Sequence, residues 1–188
     1  MGSYQEVAKA YHSNMSENID EFLDGSVPLL ESKEDGYWLG KGMYFWDNYG
    51  NAQYWQNKVA GREIVTVLLL LEKLLDLTDK NHLNYLNKVF STLKKQGSRA
   101  IDFANLEDEY ELGLVINTIY KEVEKFSDFF DVIKCHGLYR DWNEQKIIAG
   151  KRVKIHEINR SNFVTSVVKT IYCVKDEIAI YKICYEGE

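Results

Sequence analysis

The segment Gly40-Lys41-Gly42-Met43-Tyr44-Phe45 constrains this chain more than any other. Two glycines flank a lysine directly before a short apolar and aromatic run. Glycine tolerates a positive φ and, because it lacks Cβ, lets the main chain approach other groups closely. We therefore predict a tight turn that leads into a strand over 43–46 and brings main chain close to a ligand. The aromatic side chain that follows would face the same ligand.

The composition is that of one ordinary globular domain. The 188 residues are 45% hydrophobic and 28% charged, so we predict a single domain over 1–188. The net charge of −6 argues against a basic nucleic-acid-binding domain, and only 94–99 and 151–154 are locally basic. Three cysteines without CxxC spacing indicate free thiols in a reducing compartment. No signal peptide or membrane-spanning run is visible, so we expect a cytoplasmic protein that makes no membrane contact.

Hydrophobic periodicity predicts strands toward both ends of the chain and helices in its middle. We expect a helix over 17–23 capped by Ser16, a second helix capped by Asn51 after the strand at 43–46, and a buried strand over 64–71. Amphipathic spacing predicts helices over 79–95 and between 105 and 130. The remaining strands are predicted at 131–133, 146–149, 153–158, 164–174 and 178–185, the last two as a closing hairpin. This order predicts an α+β fold with a mixed, mostly antiparallel sheet.

The common catalytic signatures are missing from the chain. Gly40-x-Gly42 lacks the remaining glycine of a dinucleotide fingerprint, and there is no GxxxxGK[ST], GxSxG or HExxH segment. The four histidines are scattered, and no cysteine and histidine pairs have metal-ligand spacing. The sequence therefore predicts neither a metal centre nor one of the common phosphate-binding loops.

Four short segments, 11–12, 18–19, 39–45 and 51–54, resemble the signatures of ADP-ribosyltransferases of the diphtheria-toxin and poly(ADP-ribose)-polymerase branch. Members of that branch carry His-Gly near the first strand, Gly-Lys-Gly-x-Tyr-Phe, and a helix that begins Ser-Ala-x-Tyr. A Glu, or a replacement, follows at the start of a later strand. The resemblance covers 11–55 and implies a split β-sheet, NAD as cofactor and cleavage of its nicotinamide–ribose bond.

The resemblance also implies roles for single residues. His12 would hydrogen-bond the adenosine ribose of NAD, and the main chain beside it, at Ser13, would hold the carboxamide. Tyr44 and Tyr54 would stack on the two sides of the nicotinamide ring, as flat rings favour. Gly42 belongs to the same cofactor-binding set.

Two positions depart from the family pattern. Ser13 stands where the family has glycine, and Asn51 stands where it has serine. An asparagine still offers one donor group and one acceptor, so Asn51 stays among the predicted cofactor-binding residues, and its other interpretation is a helix N-cap.

The resemblance places the last catalytic residue in the segment 142–146. We predict Glu144, with Gln145 as second choice because some family members carry a neutral residue there. A carboxylate at this point would bind the 2′-hydroxyl of the reacting ribose and accept the proton of the attacking group.

These expectations lead to a mono-ADP-ribosyltransferase that acts on a macromolecular acceptor. Small enzymes of this kind are similar to toxins of toxin–antitoxin and phage-defence systems, in which an antitoxin protein would be a partner. Two alternatives stay open: an NAD glycohydrolase, in which water is the acceptor, and a non-catalytic module that binds NAD or ADP-ribose. The sequence leaves open whether the acceptor is a protein or a nucleic acid.

Overall fold

A computed structural model of the chain describes residues 5–32, 38–97, 112–138, 145–146, 152–153 and 168–184. In chain order the elements are β1 (Val7–Met15), α1 (Ser16–Leu23), β2 (Met43–Trp46), α2 (Tyr49–Gln56), β3 (Arg62–Leu70), β4 (Leu74–Asp76), α3 (Lys80–Lys95), α4 (Leu112–Glu122), α5 (Phe126–Phe129), β5 (Val132–Leu138), β6 (Gln145–Lys146), β7 (Arg152–Val153), β8 (Val168–Val174) and β9 (Ile180–Cys184). The fold is α+β, as predicted.

Seven strands form one sheet in the order β4-β5-β8-β2-β1-β3-β9, and β6 and β7 form a second, two-stranded sheet. Within the seven-stranded sheet, the β4–β5 pair is parallel and the other pairs are antiparallel. The prediction of a mixed, mostly antiparallel sheet is therefore confirmed.

The contact between β1 and β2 is short. β1 pairs with β3 along its whole length, from Val7 opposite Leu70 to Met15 opposite Arg62. By contrast, β1 and β2 are paired at a single position, where Tyr11 lies opposite Trp46. Beyond that pair the ladder ends, although β1 continues for four residues. We call this opening between β1 and β2 the split.

Two hydrophobic clusters cover the two faces of the sheet. Alternate residues of a strand point to opposite faces, so Met43 and Phe45 join the cluster that contains Ile19 and Phe22 of α1. Tyr44 and Trp46 join the cluster built from α2, α3 and α4. Burial of large apolar side chains such as the fully buried Phe45 stabilises the fold by about 1.5–3 kcal/mol each.

Several predicted elements are confirmed. The strand at 43–46 is β2, and the helix at 79–95 is α3 with Asp79 as its N-cap. The Asp79 carboxylate accepts hydrogen bonds from the main-chain N–H groups of Asn81 and His82. The helix ends before Gly97, which has a φ of +70°. The strand predicted at 64–71 is β3, shifted by one or two residues, but only its alternate residues Val65, Val67 and Leu69 are buried, so burial on both faces is not found.

Other predicted elements are wrong or differ in length. The described parts of the predicted strands 164–174 and 178–185 are β8 and β9, and these two strands do not form a hairpin. Both edges of β8 are occupied, by β2 and β5, and β9 pairs with β3. The helix between 105 and 130 is interrupted at Lys125, whose φ is +63°, and 105–111 lies outside the described residues. Ser16 is the first residue of α1 rather than its cap. β5 is longer than the predicted 131–133, and β4 was not predicted.

The predicted strands at 146–149 and 153–158 are described only at their first residues, Lys146 and Val153, which lie in β6 and β7. Among the described residues, no helix is both long enough and apolar enough to cross a bilayer.

Candidate functional site

The split brings His12 and Tyr44 together. His12 is close to the end of β1, and its imidazole Nδ1 lies 2.7 Å from the main-chain oxygen of Tyr44. This bond is made where the β1–β2 ladder has already ended. The side chain of His12 therefore links β1 to β2 at a position where no main-chain pairing joins the two strands.

The partners of His12 fix its tautomer. A carbonyl oxygen can only accept, so Nδ1 carries the proton and donates to Tyr44. The Asn14 side chain accepts through its Oδ1 from the N–H of Met15 at 2.8 Å and from Asn18 Nδ2 at 3.0 Å. Its Nδ2 is consequently the group that lies 3.4 Å from His12 Nε2. Nε2 is therefore an acceptor, and in this structure Asn14 Nδ2 is its donor, at the long distance of 3.4 Å.

His12 is neutral at physiological pH. Only 9% of its surface is exposed, and burial is the main reason why its pKa falls from 6.5 to about 4, with the positive charge of Arg62 lowering it further. The hydrogen bond to Tyr44 opposes this shift. A neutral imidazole keeps the Nε2 lone pair that protonation would remove.

The Tyr44 hydroxyl closes the turn that precedes its own strand. It donates to the main-chain oxygen of Gly40 at 2.6 Å and accepts from the N–H of Leu39 at 3.0 Å. The turn at 39–40 is thereby attached to the ring that the sequence predicts to contact nicotinamide.

His12 and Tyr44 approach the split from different faces of the sheet. The His12 ring lies 5.6 Å from the ring of Phe45, which belongs to the cluster on the α1 face. The Tyr44 ring packs against the cluster on the opposite face. The contact between these two predicted residues is thus imidazole to main chain, and their rings flank the split from two sides.

The two glycines of the turn approach protein groups. At Gly40, with a φ of +75°, a Cβ would overlap Asn117 Oδ1 and lie 2.8 Å from the Gly113 carbonyl oxygen. At Gly42, with a φ of +151°, it would lie 2.6 Å from both Cys173 Sγ and the Val174 carbonyl oxygen. Both glycines are needed for packing against α4 and β8. The expectation that they also bring main chain close to a ligand stays a prediction.

Helix α2 begins next to the split, and its cap differs from the prediction. Asn48, not Asn51, is the N-cap, and its side chain accepts from the Asn51 N–H at 3.1 Å. Asn51 lies in the first turn of the helix and is 9% exposed, and its Nδ2 lies 3.3 Å from Asp47 Oδ1. Both residues could cap by composition. The strand ends at Trp46, so the chain needs its cap three residues earlier than predicted.

Tyr54 presents an exposed ring on α2. It is 46% exposed, the ring of Trp55 meets it edge-on at 5.7 Å, and the Lys58 ammonium lies 4.8 Å from its centroid. An aromatic ring that attracts an ammonium group also attracts other cations, and the nicotinamide ring of NAD is one.

Two buried polar atoms near the end of β1 have no hydrogen-bond partner within the described residues. They are Ser13 Oγ and Arg62 Nε. Ser13 lies opposite Ile64, and Arg62 lies two residues before Ile64 on β3, so the two side chains share one face of the sheet. Buried polar groups are normally paired, and a bound ligand or water would supply the missing partners.

A cleft of about 380 Å³ lies on the other side of the turn. Its lining residues are Glu31, Lys41, Asn117, Tyr120, Lys121 and Lys175. Sequence reasoning named only Lys41 from this set, because Asn117 and Lys175 are 76 and 134 residues away from it in the chain. Asn14 was also missed, although strand alternation would have placed it beside His12.

The last predicted catalytic residues, Glu144 and Gln145, stay predictions. Glu144 lies outside the described residues, and Gln145 is the first residue of β6, opposite Val153. In the described ranges there is also no group of three His, Cys, Asp or Glu side chains that could hold a metal ion.

No protein-family model, no curated protein and no solved structure matches this chain. The function is therefore inferred from the residues of the split and the chemistry that they permit.

Proposed function

We propose that the protein is an NAD-dependent mono-ADP-ribosyltransferase with a macromolecular acceptor. The observation that supports this most is the neutral His12 imidazole, held at the split by the Tyr44 carbonyl. Its Nε2 is an acceptor whose contact with Asn14 Nδ2, at 3.4 Å, is long enough for a ligand donor to replace it. A ribose hydroxyl is a donor that suits this atom. The role is the one that the resemblance to the diphtheria-toxin and poly(ADP-ribose)-polymerase branch implies for His12.

The chemistry needs positioning more than strong acid–base groups. NAD would supply a cationic leaving group: its nicotinamide–ribose bond breaks, and both electrons leave with nicotinamide. The acceptor nucleophile forms the new bond to the ribose carbon, and its proton passes to a carboxylate, for which Glu144 is the predicted residue. Tyr44 and Tyr54 would hold the nicotinamide ring, and a fixed orientation of both reactants lowers the barrier.

The side chains near Ser13 add support. Ser13 Oγ and Arg62 Nε are buried donors that have no partner within the described residues, and NAD offers a carboxamide, hydroxyl groups and a diphosphate that could accept from them. The departure from the family glycine at position 13 thus adds a hydroxyl to the site without removing the main-chain groups.

A transfer assay tests the proposal. The protein is incubated with NAD labelled in its adenylate phosphate and with cell lysate, and samples are then treated separately with protease and with nuclease. We expect label in a macromolecule, removed by one of the two treatments, and at least a tenfold loss for Glu144→Gln. The matched control is Glu122→Gln, which removes a charge from an exposed position on α4 and should leave transfer unchanged.

The other outcomes contradict the proposal in different ways. Nicotinamide release without macromolecular label would indicate an NAD glycohydrolase. NAD binding without any release would indicate a non-catalytic module.

A further inference from the structure

The cleft beside the Gly40–Gly42 turn, which we call the lysine cleft, has a charge opposite to that of the whole chain. Three lysines and one glutamate are among its lining residues, Lys41, Lys121, Lys175 and Glu31, whereas the chain carries a net charge of −6. A concave site lined by one sign of charge concentrates ions of the other sign. The lysine cleft is therefore suited to an anion.

One of its lysines is held in a fixed position. Lys175 Nζ donates to the main-chain oxygen of Leu39 at 2.7 Å and also to that of Lys41. The same ammonium lies 5.3 Å from the centroid of the Tyr120 ring. These contacts satisfy donors without neutralising the charge, so a positive charge is already in place before a ligand arrives.

The other two lysines are accessible. Lys41 forms an ion pair with Glu31 at 2.9 Å, and its side chain is 58% exposed. Such surface pairs contribute little stability, so a ligand anion can replace the glutamate at small cost. Lys121 is exposed in the last turn of α4, and its ammonium forms no ion pair with any described residue.

The floor of the lysine cleft is also the turn held by Tyr44. The Lys41 N–H donates to Asn117 Oδ1 at 2.7 Å, and Lys175 holds the Leu39 and Lys41 carbonyls. The Tyr44 hydroxyl binds Gly40 and Leu39 from the other side. A ligand in the cleft would thus be separated from Tyr44 by the turn at 39–41.

We infer that the lysine cleft binds the phosphate group of a nucleotide-sized ligand that is distinct from the cofactor. A phosphate monoester carries about −1.5 to −2 charges at pH 7. This charge complements the three ammonium groups and one carboxylate of the cleft better than the charge of a ligand with a single carboxylate would. The volume is near the lower limit of small-molecule sites, about 300–1,000 Å³. The ligand is either a free nucleotide or one nucleotide of a strand. The interpretation of this ligand as part of the acceptor rests on the proposed function, whereas its binding to the lysine cleft does not.

Uridine 5′-monophosphate is a suitable probe, because its uracil base differs from the adenine of NAD and its single phosphate differs from the diphosphate of NAD. Calorimetry compares it with uridine for the full chain. We expect the nucleotide to bind at least ten times more tightly than the nucleoside, with an affinity that falls as salt rises. Lys121→Gln should weaken nucleotide binding three- to tenfold, whereas the matched Lys88→Gln, on the exposed side of α3, should not.

Competition with a single-stranded uridine oligonucleotide then identifies the source of the phosphate. Displacement of the nucleotide assigns the lysine cleft to a strand, and failure to displace it assigns the cleft to a free nucleotide. Equal binding of nucleotide and nucleoside, absence of nucleotide binding, or wild-type affinity in Lys121→Gln would overturn the inference. Nicotinamide release measured in parallel separates the two claims, since release without nucleotide binding refutes only the lysine cleft, and nucleotide binding without release refutes only the transferase.

Discussion

His12 donates from Nδ1 to the carbonyl oxygen of Tyr44 across 2.7 Å, joining β1 to β2 just where their ladder stops. A buried main-chain carbonyl needs a donor, and the His12 imidazole supplies one to Tyr44. This bond holds β1 and β2 together beyond the single pair of their ladder. It is at this split that we propose NAD to bind.

The pH dependence of stability should show that His12 is neutral in the fold. Its pKa is about 4 when folded and 6.5 in the ordinary state, so between these values the unfolded chain binds a proton that the folded chain does not. The free energy of unfolding is therefore highest above pH 6.5, where His12 is neutral in both states, and it decreases as the pH falls toward 4. At about 1.4 kcal/mol per pH unit, the loss is on the order of 3 kcal/mol.

Urea unfolding of wild type and His12→Gln between pH 7 and pH 4 measures this loss. The carboxylates titrate in both proteins, so the difference between the two free energies of unfolding reports His12 alone. A difference that stays constant across this range would show that the imidazole is not shielded from protonation.

The ring and the hydroxyl of Tyr44 should have separable roles. Tyr44→Phe removes the bonds to Gly40 and Leu39 and should cost about 1 kcal/mol of stability with NAD affinity within a few-fold of wild type. Tyr44→Ala also removes the stacking ring and should weaken NAD binding by on the order of one to a few kcal/mol. Calorimetry with NAD distinguishes the two variants, and equal affinity in both would remove the stacking role.

The turn should be sensitive at Gly40 for two separate reasons. Gly97 has nearly the same φ, +70° against +75°, but a Cβ there meets nothing within 4 Å. Gly97→Ala should therefore cost only the backbone strain, about 1–2 kcal/mol. Gly40→Ala adds the overlap with Asn117 and Gly113, about 1–3 kcal/mol more. Thermal unfolding of both variants measures the two losses of stability. Equal losses would mean that α4 shifts at little cost to make room for the added Cβ.

Removal of the Lys58 ammonium should strengthen the binding of the cationic nicotinamide ring to the ring of Tyr54. The ammonium lies 4.8 Å from the centroid of that ring and competes with the charge of nicotinamide. Lys58→Met should tighten NAD binding by about 0.5–1 kcal/mol, while Lys88→Met should leave it unchanged. Weaker binding in Lys58→Met would instead mean that Lys58 contacts NAD directly.

Local patterns in the sequence predicted local structure well. The strand at 43–46 and the helix at 79–95 were found because the spacing of apolar residues is a sufficient signal over a short range. The cap of α2 was misplaced because Asn48 and Asn51 are equally good caps, and only the end of β2 decides between them. The position of β9 beside β3 depends on which strand edges are free, and no short-range pattern encodes that.

The residues of the proposed site were chosen from the sequence, but their contacts could not be predicted from it. Strand alternation gives the face of His12, yet the bond to the Tyr44 main chain depends on where the β1–β2 ladder ends. Gly40 and Gly42 signal close approach, but the groups they approach, on α4 and β8, are more than 70 residues further along the chain. The lysine cleft is assembled from the turn, α4 and the end of β8, so it has no signature in any one segment.

Release of nicotinamide from NAD, measured for wild type and Tyr44→Ala with lysate present, tests the central claim most directly. A transferase that holds NAD at the split should release nicotinamide in step with label incorporation, and Tyr44→Ala should release it at least ten times more slowly. If the folded wild-type protein releases no nicotinamide, or if Tyr44→Ala releases it at the wild-type rate, NAD is not cleaved at the split and the proposed function is wrong.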